Sequence, residues 1–91
     1  MSDTLGLLEE ATDVARELGY LVREEPLGDS PGGACTVGGR KQILLNAALP
    51  AARRLDVLVD ALGADPAVET VATSRLLARR LAAARKPSGA P

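Results

Sequence analysis

The chain has no histidine, phenylalanine or tryptophan, and only one cysteine, one tyrosine and one methionine in 91 residues. Each absence removes a class of chemistry. Without histidine there is no Ser–His or Cys–His nucleophile pair and no His-ligated zinc. Cys35 alone makes neither an internal disulfide nor a Cys-rich metal centre, so nothing points to an oxidising compartment. As a nucleophile it would need another base or a cation to lower its pKa. The expectation is instead a small buried residue facing the core, because free cysteines are among the most buried side chains. No cofactor is expected.

A core with one aromatic side chain, Tyr20, must be assembled from Leu, Val, Ile and Ala, which bury less area per residue. In a domain this small, a second chain is a natural source of extra burial, and a homodimer is expected. The stretch MSDTLGLLEEATD is acidic where a signal peptide is basic, and no apolar run reaches a membrane span. A cytoplasmic protein with no membrane partner is the expectation. Arginine far outnumbers lysine, and Ala, Gly, Leu and Pro abound, as in products of GC-rich bacterial genomes. The net charge of −1 hides an asymmetry: eight acids against two arginines up to Pro31, then four acids against nine basic residues. Such asymmetry marks either a nucleic-acid tail or an acidic helix lying against a basic one.

Ser2, Asp3 and Thr4 offer N-caps to a first helix with Leu7, Ala11, Val14 and Leu18 on one stripe and Gly19 as its stop. YLVREE, residues 20–25, reads as a strand ending at Pro26, and PLGDSPGG as a loop. ACTV, GGR and KQILLN then form a hairpin. A two-residue Gly38-Gly39 turn sets Cys35 opposite Gln42. A three-residue loop over Gly38–Arg40 gathers Cys35, Val37, Ile43 and Leu45 on one face, and burial of that face favours the longer loop. Pro50 opens a helix carrying Leu55, Leu58, Val59 and Leu62, which Gly63 closes. Asp65 and Pro66 open a last helix running to about Lys86. The whole predicts one α+β domain over 1–86, a three-stranded antiparallel sheet with one N-terminal and two C-terminal helices (α-β-β-β-α-α), and a frayed tail at 87–91.

The glycine pairs do not make a phosphate loop, since Gly33 and Gly38 are followed by Gly39-Arg40-Lys41 and a strand rather than by GK[ST] and a helix. Asp56 and Asp60 share a helix face at i, i+4, the spacing of a cation or acid–base pair, but no third group joins them and a solvated face is expected. Arg75 and Arg79 lie along one side of the last helix with Arg80 flanking, and these are the candidate anion contacts. Nucleic acid is a disfavoured partner because stacking aromatics and a reading motif are missing. Leu21 and Leu44 on the outer sheet face, and Val71, Leu76, Leu77 and Leu81 on the last helix, are the candidate interface residues, forming more apolar surface than one narrow contact needs.

Gly32, Gly33, Cys35, Ile43, Leu45 and Asn46, with the helix around Leu55–Leu62, resemble the GG-x-C hairpin, I-x-L strand and Pro-led helix of a group of small bacterial proteins. The same segment is distantly similar to the strand–hairpin–helix core of IrrE-like zinc peptidases. In that pattern the helix bears H-E-x-x-H; here Val59 and Gly63 stand at the histidine positions and Asp60 at the glutamate. The resemblance therefore implies a domain without metal or peptidase activity. The expected function is a non-enzymatic interaction or scaffold module that self-associates. The alternatives are a catalytically dead peptidase-like domain binding a peptide at its hairpin edge, a thiol-dependent enzyme, and a nucleic-acid-binding accessory protein.

Overall fold

A computed structural model gives the fold of residues 3–85. Helix α1 (Thr4–Glu17) follows from its stripe: Leu8, Ala11, Val14 and Ala15 are buried at helical spacing. It ends in a Schellman motif, with Tyr20 N–H donating to Ala15 O and Gly19 N–H to Arg16 O, both at 3.0 Å. Strands β1 (Leu21–Glu25), β2 (Gly32–Val37) and β3 (Arg40–Asn46) make one sheet, followed by α2 (Ala51–Gly63). A short 3-10 turn (Pro66–Thr70) then leads to α3 (Arg75–Arg85). The end expected at Lys86 and the tail expected at 87–91 lie outside the described residues.

The sheet is mixed rather than antiparallel. Its order is β1-β3-β2: β1 runs parallel to β3, and β2 antiparallel. The physical reason lies in β3, whose Ile43 and Leu45 are fully buried and whose backbone is paired on both sides. The charged β1, with Arg23, Glu24 and Glu25, suits an edge. To reach β2, the chain leaving β1 passes across the end of β3, and Asn46 holds that crossing. Its amide accepts from Leu27 N–H (3.3 Å) and Ala48 N–H (3.0 Å) and donates to Gly28 O (3.0 Å) and Ser30 O (2.8 Å). All four hydrogen-bonding positions of the side chain are used. It is 2 % exposed.

The hairpin takes the two-residue turn, correcting the longer loop expected from burial. Gly38 and Gly39 both have positive φ (57° and 78°), the requirement of a type I′ turn, and Val37 pairs with Arg40. Arg40 has no left-handed backbone to adopt. The pairing consequently sets Cys35 opposite Gln42 and Ala34 opposite Ile43. Cys35 and Val37 therefore lie on the outer face with Leu44, away from the helices, and the cysteine is half-buried rather than a core residue.

The last helix is also shorter than its alanine-rich sequence suggests. Residues 71–74 are not helical, and Ser74 caps α3, accepting from Leu77 N–H through Oγ at 3.2 Å. β-Branched Thr70, Val71 and Thr73 favour that break. The helices cover one face of the sheet, and the core lies between that face and α1, α2 and α3.

Candidate functional site

Among the described residues, two surfaces stand out once the core is closed. The first is the outer sheet face, where Val37 is 58 % and Leu21 39 % exposed, with Leu44 and Cys35 half-buried beside them. The second is an open groove of about 510 Å³ between the β2 edge and α2. Gly32, Gly33 and Ala34 form one wall, and Val57 and Ala61 with Arg53, Asp56 and Asp60 form the other. Helical periodicity puts residues 53, 56, 57, 60 and 61 on one side of α2, which is why they meet β2 together.

Charge in this groove is partly spoken for. Asp56 pairs with Arg80 at 2.8 Å. Among the described residues, neither Arg53 nor Asp60 has an ion-pair partner, whereas Arg54 beside them binds Glu24 at 3.0 Å. No cluster of three or more His, Cys, Asp or Glu able to hold a metal occurs among the described residues. The Asp56/Asp60 pair is thus a rim feature of the groove. At the positions compared with H-E-x-x-H, Val59 and Gly63 are buried and only Asp60 is exposed.

The sequence-derived interface residues divide. Leu21, Leu44 and Val71 are exposed or half-buried, and Leu76 is 55 % exposed. Leu77 (0 % exposed) and Leu81 (6 %) belong to the core, a correction that follows from the start of α3 at Arg75: this phase turns them inward and Leu76 outward. The three arginines also separate. Arg80 is taken by Asp56, whereas Arg75 and Arg79 stand exposed without an ion-pair partner among the described residues; Arg85, outside that set, pairs with Glu69. The acidic and basic helices meet through Glu10, which accepts from Ser74 N–H (2.6 Å) and Oγ–H (2.7 Å), and not through an arginine.

One cluster escaped the sequence reading because its members are far apart in the chain. Tyr20 donates its hydroxyl to Asp65 Oδ2 at 2.9 Å, and Lys41 Nζ sits 4.4 Å above the tyrosine ring. That ammonium also donates to Leu18 O at 2.9 Å, at the negative end of α1, and lies 3.9 Å from Asp65 Oδ2. The Ala67 N–H bond, then the Tyr20 hydroxyl and Lys41, hold the Asp65 carboxyl below its usual range against opposing burial. Burial, then Asp65, pushes the Tyr20 phenol up.

These shifts give two pH limits. Asp65 contributes stability that is present above its unfolded pKa and lost as pH falls through the lower folded value. Tyr20 contributes stability that is present below 10.0 and lost as pH rises through its higher folded value. Tyr20→Phe is expected to cost about 1 kcal/mol and to flatten the acid limb, because Asp65 loses a donor. Urea midpoints across pH measure this, and the single tyrosine makes phenolate absorbance a clean check.

The outer position of Cys35 has its own expected outcome. A maleimide should label the native chain without denaturant, and Cys35→Ser should change stability by no more than about 1 kcal/mol. Complete protection in native buffer would contradict this placement.

No protein-family model, no curated protein and no solved structure matches the chain. Among the described residues, no helix is long and apolar enough to cross a membrane.

Proposed function

We propose that this chain is a non-enzymatic protein-interaction module, acting in the cytoplasm as a self-associating accessory or scaffold. The observation that carries this reading is the β2 edge: an uncharged strand with an open groove alongside, next to an outer sheet face that keeps Leu21 and Val37 exposed and Leu44 half-buried. Apolar surface and unpaired strand edges are what partner chains cover. The lack of histidine supports the non-enzymatic part. The pairing of Arg80 with Asp56 removes one of the three candidate anion contacts, so nucleic acid is less well supported.

A second reading, a peptidase-like fold without catalysis that binds an extended peptide, is favoured by the same edge, since strand addition needs an open ladder beside a groove. Sedimentation equilibrium at micromolar concentration, with and without a library of extended peptides, tests both. Self-association supports the first reading, and a monomer that binds peptide supports the second. A chain that remains monomeric and binds no peptide overturns the interaction-module reading.

A further inference from the structure

The two edges of the sheet are guarded unequally. β1 carries three charges in five residues, with Arg23 paired to Glu25 and Glu24 to Arg54. β2, GGACTV, carries no charge and no proline, the usual means of blunting an edge. In a two-residue hairpin the pairs Val37–Arg40, Cys35–Gln42 and Gly33–Leu44 exchange the ladder hydrogen bonds, so the peptide groups of Ala34 and Thr36 turn outward. Among the described residues, no turn, loop or side-chain hydrogen bond engages either of them, whereas Gly32 N–H donates to Ser30 Oγ at 3.2 Å.

Alongside this edge, α2 presents Arg53 and Asp60, seven residues and about 10 Å apart on one side of the helix. A two-fold axis reverses the direction of a helix. A helix bearing an unpaired cation at one end of its exposed face and an unpaired anion two turns later is therefore complementary to its own inverted copy. Val57 and Ala61 supply apolar surface in the same groove.

We propose that the occupant of the β2 edge is a second copy of this chain. Two β2 strands pair antiparallel about a two-fold axis near Ala34, extending the sheet to six strands, and Arg53 of each subunit faces the partner subunit's Asp60. This rests on the self-association part of the function proposed above and names its surface. An arbitrary peptide would fill the ladder without answering both charges of α2.

The test is charge reversal at two exposed positions, read by sedimentation equilibrium on the full chain. Arg53→Glu places like charges across both symmetry-related contacts, as does Asp60→Arg. Each should weaken dimerisation by about tenfold or more. Mixed in equal amounts, the two variants should regain near wild-type affinity, because the heterodimer restores an opposite-charge pair at both contacts. Ala34→Pro, whose missing N–H points away from β3, should abolish the dimer while leaving the circular dichroism of the fold intact. Should Ala34→Pro fail to fold, the charge-reversal mixture decides.

A dimer indifferent to both reversals, or two weakened variants that do not rescue one another, overturns this interface while leaving self-association standing. A wild-type monomer that binds extended peptides overturns the second copy as occupant. A monomer that binds nothing overturns the inference together with the function on which it rests.

Discussion

Gly32→Ala should be among the most damaging single substitutions in this chain, lowering stability by about 3–4 kcal/mol. Gly32 has φ of +100°, where an L side chain is strained. A Cβ there would stand 2.0 Å from Leu44 O and 2.9 Å from Leu44 C, and those are backbone atoms of the central strand. They cannot rotate aside as a flexible side chain would. Relief requires β2 to lift from β3 at the end where the crossing loop enters, breaking ladder hydrogen bonds. Gly33→Ala is the control. Its φ is also positive, at 151°, but nothing lies within 4 Å of the Cβ position. Both variants therefore carry backbone strain, and the difference between their urea midpoints isolates the collision. Equal midpoints would show that β2 is held less closely than its geometry implies. Because small domains have about 5–15 kcal/mol of stability or less, the alanine variant should also show a large loss of folded yield.

The second large effect belongs to Asn46. Asn46→Asp keeps size and shape but replaces two donors by a carboxylate oxygen. That oxygen then faces Gly28 O and Ser30 O, which the amide nitrogen meets at 3.0 and 2.8 Å. The cost should be about 3 kcal/mol at neutral pH, since both carbonyls lose their donor and confront a negative charge in a buried position. The sign with pH follows. Folding raises the pKa of this aspartate, so the deficit is smallest below its unfolded value of about 4 and grows as pH rises through the folded one. Asn46→Ala should lose about 2–3 kcal/mol with no such pH dependence. Urea denaturation at neutral and acid pH separates the two. An aspartate variant as stable as wild type at neutral pH would mean that the crossing loop can find other donors.

These two residues show where sequence reasoning reaches its limit. The periodicity of Leu7, Ala11, Val14 and Leu18, widened by Leu8 and Ala15, and of Leu55, Leu58, Val59 and Leu62, declares both long helices, and Pro50 and Gly63 mark the ends of the second. Three strands are equally visible. Which edge β1 joins is not, because local pattern carries no record of a partner beyond its nearest neighbour. An isolated Asn at the end of an apolar strand says nothing of the four backbone groups that it meets.

The hairpin register was open to inference from turn chemistry. Gly38-Gly39 is a type I′ signal, and it prevails over burial of Cys35 and Val37, which the outer face leaves partly exposed. Ser74, preceding Leu76 and Leu77, likewise carried the signal for a new helix start. The groove itself could not be read from the sequence, because it depends on β2 being an edge. Once β2 is known to be one, helical spacing places Arg53 and Asp60 beside it. That they lack ion-pair partners among the described residues, unlike Arg54 and Asp56, is decided by the tertiary fold.

The order of strands also bears on how the chain is made. The central member of the sheet is the last of the three to be synthesised. When β1 leaves the ribosome, the strand it will lie against does not yet exist, and β1 follows α1 as an unpaired charged ribbon. Sheet assembly must wait for Asn46 to emerge, so a translational pause while it is still unmade or inside the exit tunnel prolongs a half-made state, and one after its emergence does not.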